Sequence, residues 1–263
     1  MANISYPNAK INIGLDVISK RPDGYHNLES LFVPYMDLHD TLQIEESGKF
    51  KVEIIKDGRL MDGTAPGEWD PDKDLTVKAY RLLKKEFDLP PVCIHLEKGI
   101  PVGAGLGGGS ADAAFALNML SEMFDLYLPE PMLEIYAAEL GSDCPFFLHN
   151  RPMFVSGRGE ILEPFDVPAL DRCRISVVVP EGISVSTKDA YSGIVPSVPV
   201  MPLKEALTLP VEQWRDHVKN DFEQSVFARY PELAAMKQSL YDNGAVYAAM
   251  SGSGSALFSL SKR

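Results

Sequence analysis

Alternation and helical spacing divide this chain into strands and helices before any residue's chemistry is considered. In KINIGLDV, Ile11, Ile13, Leu15 and Val17 fall on one face and Lys10, Asn12, Gly14 and Asp16 on the other. This predicts a half-buried strand with Lys10 and Asn12 projecting side by side. DTLQIEE and FKVEIIKDG add strand signals with turn residues after each, so the first sixty residues predict an antiparallel sheet. DLTVKAYRLLKKEF then switches to helical spacing through Leu75, Ala79, Leu82 and Leu83, with Asp74 as N-cap. VCIHLEKGI alternates again and leads through a glycine-rich loop into a helix whose buried stripe is Ala113, Leu117 and Leu120. A further helix, PEPMLEIYAAELG, starts at Pro131 and is capped by Gly141. Beyond Arg151 the pattern restarts, with strands at RISVVVP, VYAAM and ALFSL and helices near 211–218 and 231–241. The expected architecture is α+β in two domains, 1–152 and 153–263, with a cleft between them.

Composition narrows the class. With 263 residues, 45% hydrophobic and 24% charged, the chain is long enough for one large or two moderate cores. A net charge of −12 opposes an extended nucleic-acid surface, since such binding is driven by neutralising phosphates with Lys and Arg. Any phosphate is therefore expected on a small ligand, held locally. Three cysteines without CxxC spacing argue against a disulfide framework or a structural zinc site and fit a reducing cytoplasm. No apolar run is long enough to span a bilayer and no leader pattern opens the chain, so no membrane partner is expected.

The loop itself, Pro101, Val102, Gly103, Ala104, Gly105, Leu106, Gly107, Gly108, Gly109 and Ser110, places five glycines in seven residues. Glycine at this density serves positive dihedral angles or close approach to the backbone. A Walker A loop is excluded, because Ser110 and Ala111 stand where Lys and Ser/Thr are required. Gly103, Gly105 and Gly108 satisfy G-x-G-x-x-G, but no second strand ending in an acidic residue follows at dinucleotide-fold spacing. The companion motifs of a protein kinase are also missing. What remains is a helix N-terminus with free amides, suited to a polyphosphate, or a plain turn.

Three other turns carry polar groups. SGSGSALF, Ser251 to Phe258, reads as a tight hairpin or, less simply, a ligand loop. RPDGYHNLES sets Tyr25 and His26 beside Gly24, where they could stack on and hydrogen-bond to a ring. In GSDCPFFL, Asp143 follows a helix C-terminus that repels a carboxylate, so it requires a cationic or donor partner, for which Lys10 is a candidate. Cys144 reads as a small buried hydrophobe.

PNAKINIGLDV, RPDGYHNLESLF, PVGAGLGGGSADAA, GSDCPFFL and MSGSGSALF, in this order over most of the chain, resemble the GHMP kinases. AKINIGL with DGYH resembles the members that phosphorylate the tertiary 2-hydroxyl of a cytidine-diphosphate-linked methylerythritol, in non-mevalonate isoprenoid precursor biosynthesis. The resemblance implies ATP and Mg²⁺ as cofactors and a two-domain fold with the active site in the cleft. It implies Asp143 as catalytic base and Lys10 as its partner, Pro101 to Ser110 as the phosphate loop, and Asn12, Tyr25, His26 and Thr187 as substrate-binding residues. Metal ligands are not legible, with Ser110 a candidate, and oligomeric state is undetermined. One departure is Asp74 where many members carry Asn, which keeps an acceptor and removes a donor on the adenine side. Mevalonate, homoserine or sugar kinases would share the loop but not DGYH. A non-catalytic nucleotide binder would be expected to have lost Lys10 or Asp143.

Overall fold

A computed structural model describes residues 3–61 and 69–263. In chain order the elements begin with strands β1 (Asn3–Ser5), β2 (Asn8–Lys20), β3 (His26–His39), β4 (Thr41–Glu46), β5 (Lys51–Lys56) and β6 (Arg59–Met61). Helix α1 (Leu75–Phe87), strand β7 (Val92–Lys98) and helices α2 (Gly108–Met123), α3 (Glu130–Leu140) and α4 (Cys144–His149) follow. The remainder comprises β8 (Met153–Ser156), β9 (Ile161–Pro164), β10 (Cys173–Val178), α5 (Thr187–Ser192), α6 (Leu203–Ala206), α7 (Trp214–His217), α8 (Phe222–Arg229), α9 (Pro231–Asp242), β11 (Tyr247–Met250) and β12 (Leu257–Lys262).

These elements form two compact units, and the chain crosses between them five times. One unit comprises Met1–Ala9, Met36–Val102 and Gly107–Asn150; the other comprises Lys10–Tyr35, Gly103–Leu106 and Arg151–Arg263. The expected division at 152–153 comes nearest to the last crossing. It does not allow for the segment Lys10–Tyr35, which belongs with the C-terminal part because Ser30 to Phe32 pair with Met153 to Val155 and Leu15 bridges Asn220.

The first unit carries a five-stranded sheet ordered β1-β4-β7-β5-β6. Its β5–β7 pairing is parallel, and all the others are antiparallel. The sheet expected over the first sixty residues is therefore two sheets, because β2 and β3 pair with β8 and β9 in a four-stranded sheet ordered β2-β3-β8-β9. Val92, Ile94 and Leu96 of β7 and Leu42 and Ile44 of β4 face Ala79, Leu83, Ala113, Leu117 and Leu120 of α1 and α2 in one core. The three expected stripe residues of α2 are fully buried. Asp74 caps α1 as expected, its carboxylate accepting from the amides of Thr76 and Val77.

In the second unit, β10-β12-β11 form an antiparallel sheet. Its core gathers Leu15 and Val17 with Ala190, Phe222, Val226, Leu233, Met250 and Leu257. Strand β2 corrects the half-buried expectation: Lys10 is 3% and Asn12 2% exposed, so its polar face is covered as fully as its apolar one. The segment expected to be helical over 211–218 is a 3₁₀ turn followed by the four-residue α7, beyond which Val218 is extended. Pro210 and the indole of Trp214, which donates to the Leu209 carbonyl, hold that turn.

Candidate active site

Burying Lys10 is costly unless its ammonium has partners. Its Nζ donates to Asn12 Oδ1 at 2.6 Å and sits 4.3 Å from the centroid of the Phe32 ring. Asn12 is held in turn: its Nδ2 donates to Ser30 Oγ at 3.1 Å, and Ser30 donates to the Gly14 carbonyl at 2.6 Å. The backbone N–H of Asn12 donates to Ser251 Oγ at 3.3 Å. Lys10 and Asn12 are thus side by side, as the alternation of β2 predicts, with their rotamers fixed by a continuous hydrogen-bond chain.

The glycine loop carries two of the crossings between units, at Val102–Gly103 and at Leu106–Gly107. Gly103, Gly105 and Gly107 all have positive φ, 74–77°, a backbone conformation that side chains with a Cβ disfavour. Gly105 is required for a second reason: a Cβ there would lie on the Ser251 carbonyl. Ser251 Oγ donates to the Gly105 carbonyl at 2.9 Å, and the Ala256 N–H donates to the Ala104 carbonyl at 3.0 Å. The Leu106 carbonyl accepts from the Lys10 N–H at 2.9 Å. SGSGSALF is accordingly both the β11–β12 connection and the packing surface for Gly103–Leu106.

Gly107 then caps α2 without a side-chain acceptor, and the first helical bond runs from Ala111 N to Gly107 O at 2.9 Å. The amides of Gly108, Gly109 and Ser110 precede that bond and can serve an anion, which the helix dipole also favours. A buried ion cluster that sequence reasoning missed underlies this half of the loop. Lys98 bonds to Asp40 Oδ2 and, at 2.5 Å, to Asp112 Oδ2, while Asp40 Oδ1 accepts the amides of Gly99 and Ile100 at 2.6 and 2.7 Å. Burial pushes the Asp112 carboxyl well above the usual carboxylate range. Burial pulls the Lys98 ammonium the other way, but Asp112 and Asp40 outweigh it and raise its pKa. Asp112 Oδ1 is buried without a hydrogen-bond partner.

Asp143 lies between helices. Gly141 ends α3 and Asp143 occupies the N-cap position of α4, so the C-terminal repulsion expected from sequence is joined by a favourable N-terminal dipole. Next to it, the Cys144 thiol is fully buried and hydrogen-bonded to Ser110, and burial pushes its pKa up to about 12, consistent with a packing role.

The Tyr25–His26 turn is closed by Gly24 at φ 87°, with the Asp23 carboxylate accepting the Tyr25 amide at 3.1 Å. Tyr25 is exposed, and the Arg158 guanidinium lies 5.1 Å from its ring centroid. His26 stacks on Tyr191 at 4.9 Å with 20° between planes. Tyr191 sits on α5, which starts at Thr187; the Thr187 hydroxyl lies 3.4 Å from that of Ser253. His26 and Thr187 are therefore brought to the same helix, and Tyr191 is a neighbour that the sequence could have offered only as an aromatic following Thr187. Asp74 is occupied locally: beyond the helix amides its carboxylate accepts the Trp69 indole N–H at 3.0 Å.

Comparison with known proteins converges on one group. The GHMP kinases N terminal domain matches residues 74–151, and the GHMP kinases C terminal family matches 204–263. The chain is 50% identical over 259 residues to a 4-diphosphocytidyl-2-C-methyl-D-erythritol kinase of Bacteroides fragilis, covering 98% of this chain and 91% of the relative. It is 48% identical to the one of Bacteroides thetaiotaomicron, with the same coverages. A crystal structure of 4-(cytidine 5'-diphospho)-2C-methyl-D-erythritol kinase superposes with a TM-score of 0.79 at 32% identity, covering 98% of this chain and 90% of that one. The Methanococcus jannaschii mevalonate kinase, at 10% identity and a TM-score of 0.67 with coverages of 100% and 90%, shares the fold. On this near-complete correspondence, the chain belongs to the 4-diphosphocytidyl-2-C-methyl-D-erythritol kinases among the GHMP kinases.

Proposed function

We propose that this enzyme transfers the γ-phosphate of ATP to the 2-hydroxyl of 4-diphosphocytidyl-2-C-methyl-D-erythritol, in the reducing cytoplasm, where its three free thiols stay uncrosslinked. The observation that carries the reading is Lys10, 3% exposed, with its ammonium fixed on Asn12 and its backbone bonded to Leu106 of the phosphate loop. A buried, oriented cation next to loop backbone suits a reaction in which charge spreads over phosphoryl oxygens, because such catalysis is mostly positioning and electrostatic compensation.

In this reading Asp143 accepts the proton of the attacking hydroxyl, and Lys10 orients that hydroxyl and balances the developing charge. Asn12 contacts the polyol. The amides of Gly107 to Ser110 hold ATP phosphates, and Pro101 to Leu106 shape the approach. His26, fixed against Tyr191, hydrogen-bonds the cytosine edge; Tyr25 stacks on the ring, and Thr187 lies beside the nucleoside.

Mg²⁺ bound with ATP would neutralise phosphate oxygens. Ser110, half-buried at the start of α2, is a candidate oxygen for it. Among the described residues, neither side-chain group able to hold a metal includes a loop residue or Asp143.

Asp143→Asn and Lys10→Ala are each expected to lower kcat by at least about two orders of magnitude while ATP still binds, the scale of a positioned acid–base group. Near-normal turnover in the Asn variant would remove Asp143 from the mechanism. His26→Ala is expected to raise KM for the cytidine substrate at least about tenfold, since a base edge loses its partner. ATP affinity measured alone should hold. Parallel losses for both ligands would reduce the assignment to a GHMP kinase of other specificity.

A further inference from the structure

The five-stranded sheet has a second face, turned away from α1 and α2, where polar positions of three strands converge. On β7, Cys93 and His95 share that face, alternating with the buried Val92, Ile94 and Leu96. Register places Glu45 of β4 directly opposite Cys93, and Glu53 of β5 opposite His95. The His95 ring is then set between two surroundings. Its Nδ1 lies 2.7 Å from Glu53 Oε2; its Nε2 lies 3.3 Å from Cys93 Sγ and 3.7 Å from Glu45 Oε1. Lys51, also on β5, is ion-paired with Glu53.

We propose that Cys93 Sγ, His95 Nε2 and Glu45 form a binding site for a zinc-class divalent transition-metal ion, with Glu53 as the outer carboxylate that fixes the imidazole. Three features carry this. The donor set of thiolate, imidazole and carboxylate is the one zinc prefers over magnesium or calcium. The spacing is close: tetrahedral zinc with metal–sulfur near 2.3 Å and metal–nitrogen or –oxygen near 2.0–2.1 Å separates sulfur from nitrogen by about 3.5 Å and nitrogen from oxygen by about 3.3 Å. The observed separations are 3.3 Å for sulfur to nitrogen and 3.7 Å for nitrogen to oxygen, so closing on an ion requires the half-exposed Glu45 side chain to move in by a few tenths of an ångström. The outer arrangement fits as well, since metal-binding histidines characteristically donate their other N–H to a carboxylate, as Nδ1 does to Glu53.

Charge also closes. A dication is neutralised by the Cys93 thiolate and Glu45, while Lys51 compensates Glu53. On binding, the Cys93 thiol releases its proton to water. Glu45 and His95 are partly exposed, side chains 44% and 34%, leaving an entry path and a fourth position for water. Bound, the ion joins β4 to β7. The other candidate cluster, Glu130, Glu134 and His149, lacks sulfur, and each of its imidazole nitrogens already faces its own carboxylate at 3.1 and 3.0 Å.

The test uses untagged, ATP-free protein titrated with Co²⁺ and then Zn²⁺. One equivalent of Co²⁺ should give a thiolate-to-cobalt charge-transfer band with tetrahedral visible absorption, bleached by Zn²⁺. Cys93→Ser and His95→Gln should abolish the band and weaken zinc binding, read by competition with a chromogenic chelator, by at least about tenfold. Glu53→Gln, which touches no metal, should weaken zinc about 10–100-fold while keeping the band. Cys173→Ser should change neither. His95→Gln and Glu53→Gln alter partly exposed side chains, so they keep the test decisive should Cys93→Ser unfold. A missing thiolate band in the wild-type protein, a band that survives His95→Gln, or zinc binding abolished by Glu134→Gln would overturn the proposal.

Discussion

The two halves of the glycine loop look alike in sequence and are held by different physics. Gly103–Leu106 rests on neutral hydrogen bonds, from Ser251 and Ala256 to its carbonyls and from the Lys10 amide to Leu106. Gly107–Ser110 rests on the end of β7, which the Asp40–Lys98–Asp112 cluster fixes. The glycines differ accordingly. Gly105 combines φ 77° with backbone contact. A Cβ on Gly108 would meet the Ile100 side chain at 3.0 Å, and one on Gly109 would meet only Leu75, at an ordinary 3.8 Å. Repetition of one residue type therefore conceals a steric requirement at one position and freedom four residues later.

The largest expected effect breaks the ionic support. Asp40→Ala leaves the amide of Gly99 and the buried amide of Ile100 without an acceptor and removes one of the carboxylates of the largely buried Lys98, so unfolding free energy should fall by about 3–5 kcal/mol. A loss under about 1 kcal/mol in chemical denaturation would show that the second half does not depend on this carboxylate. Next comes Gly105→Ala, which places a Cβ in left-handed backbone and against the Ser251 carbonyl; about 2 kcal/mol or more should be lost. Gly109→Ala should cost nothing and can add up to about 1 kcal/mol, as alanine is preferred in a helix. Any fall in ATP affinity in that stable variant then reports approach of phosphate to the backbone. Equal destabilisation by the two substitutions would erase the distinction between the halves.

The effect that depends on pH concerns β2, which supports the first half. Burial, with help from Asp221 and Glu29, raises the Asp16 carboxyl from 3.8 to about 7. Between these values the unfolded chain has released the proton and the folded one retains it, so stability from this group falls as pH rises from about 4 to 7. The melting-temperature advantage of Asp16→Asn over the parent should grow across that window and level off above it. An advantage independent of pH would mean that Asp16 ionises normally.

Much of this was legible because it depended on local pattern. The alternation of β2 placed Lys10 next to Asn12, Asp74 capped α1, and Ala113, Leu117 and Leu120 became the buried stripe of α2. What escaped depended on contacts distant in sequence. Nothing near Asp40 signals Lys98, 58 residues on. The cover on the polar face of β2 includes Ser251, and alternation alone cannot reveal a second covering layer. Tyr191 was visible only as an aromatic after Thr187, because its pairing with His26 spans most of the chain. The separation of the early strands into two sheets was hidden for the same reason: β4 pairs forward with β7, and β3 with β8.

The bond from the Asn12 amide to Ser251 spans 239 residues. During synthesis, β2 emerges long before the Ser251 hydroxyl that its Asn12 amide bonds, although Ser30, which holds the Asn12 side chain, follows within 18 residues. The first unit draws only on residues up to Asn150, whereas β2, in the second unit, is completed only once β11 and β12 have been made. A chain ending before Ser251 is expected to lack the bond that fixes β2 and, because β12 is the central strand of β10-β12-β11, a complete second unit as well.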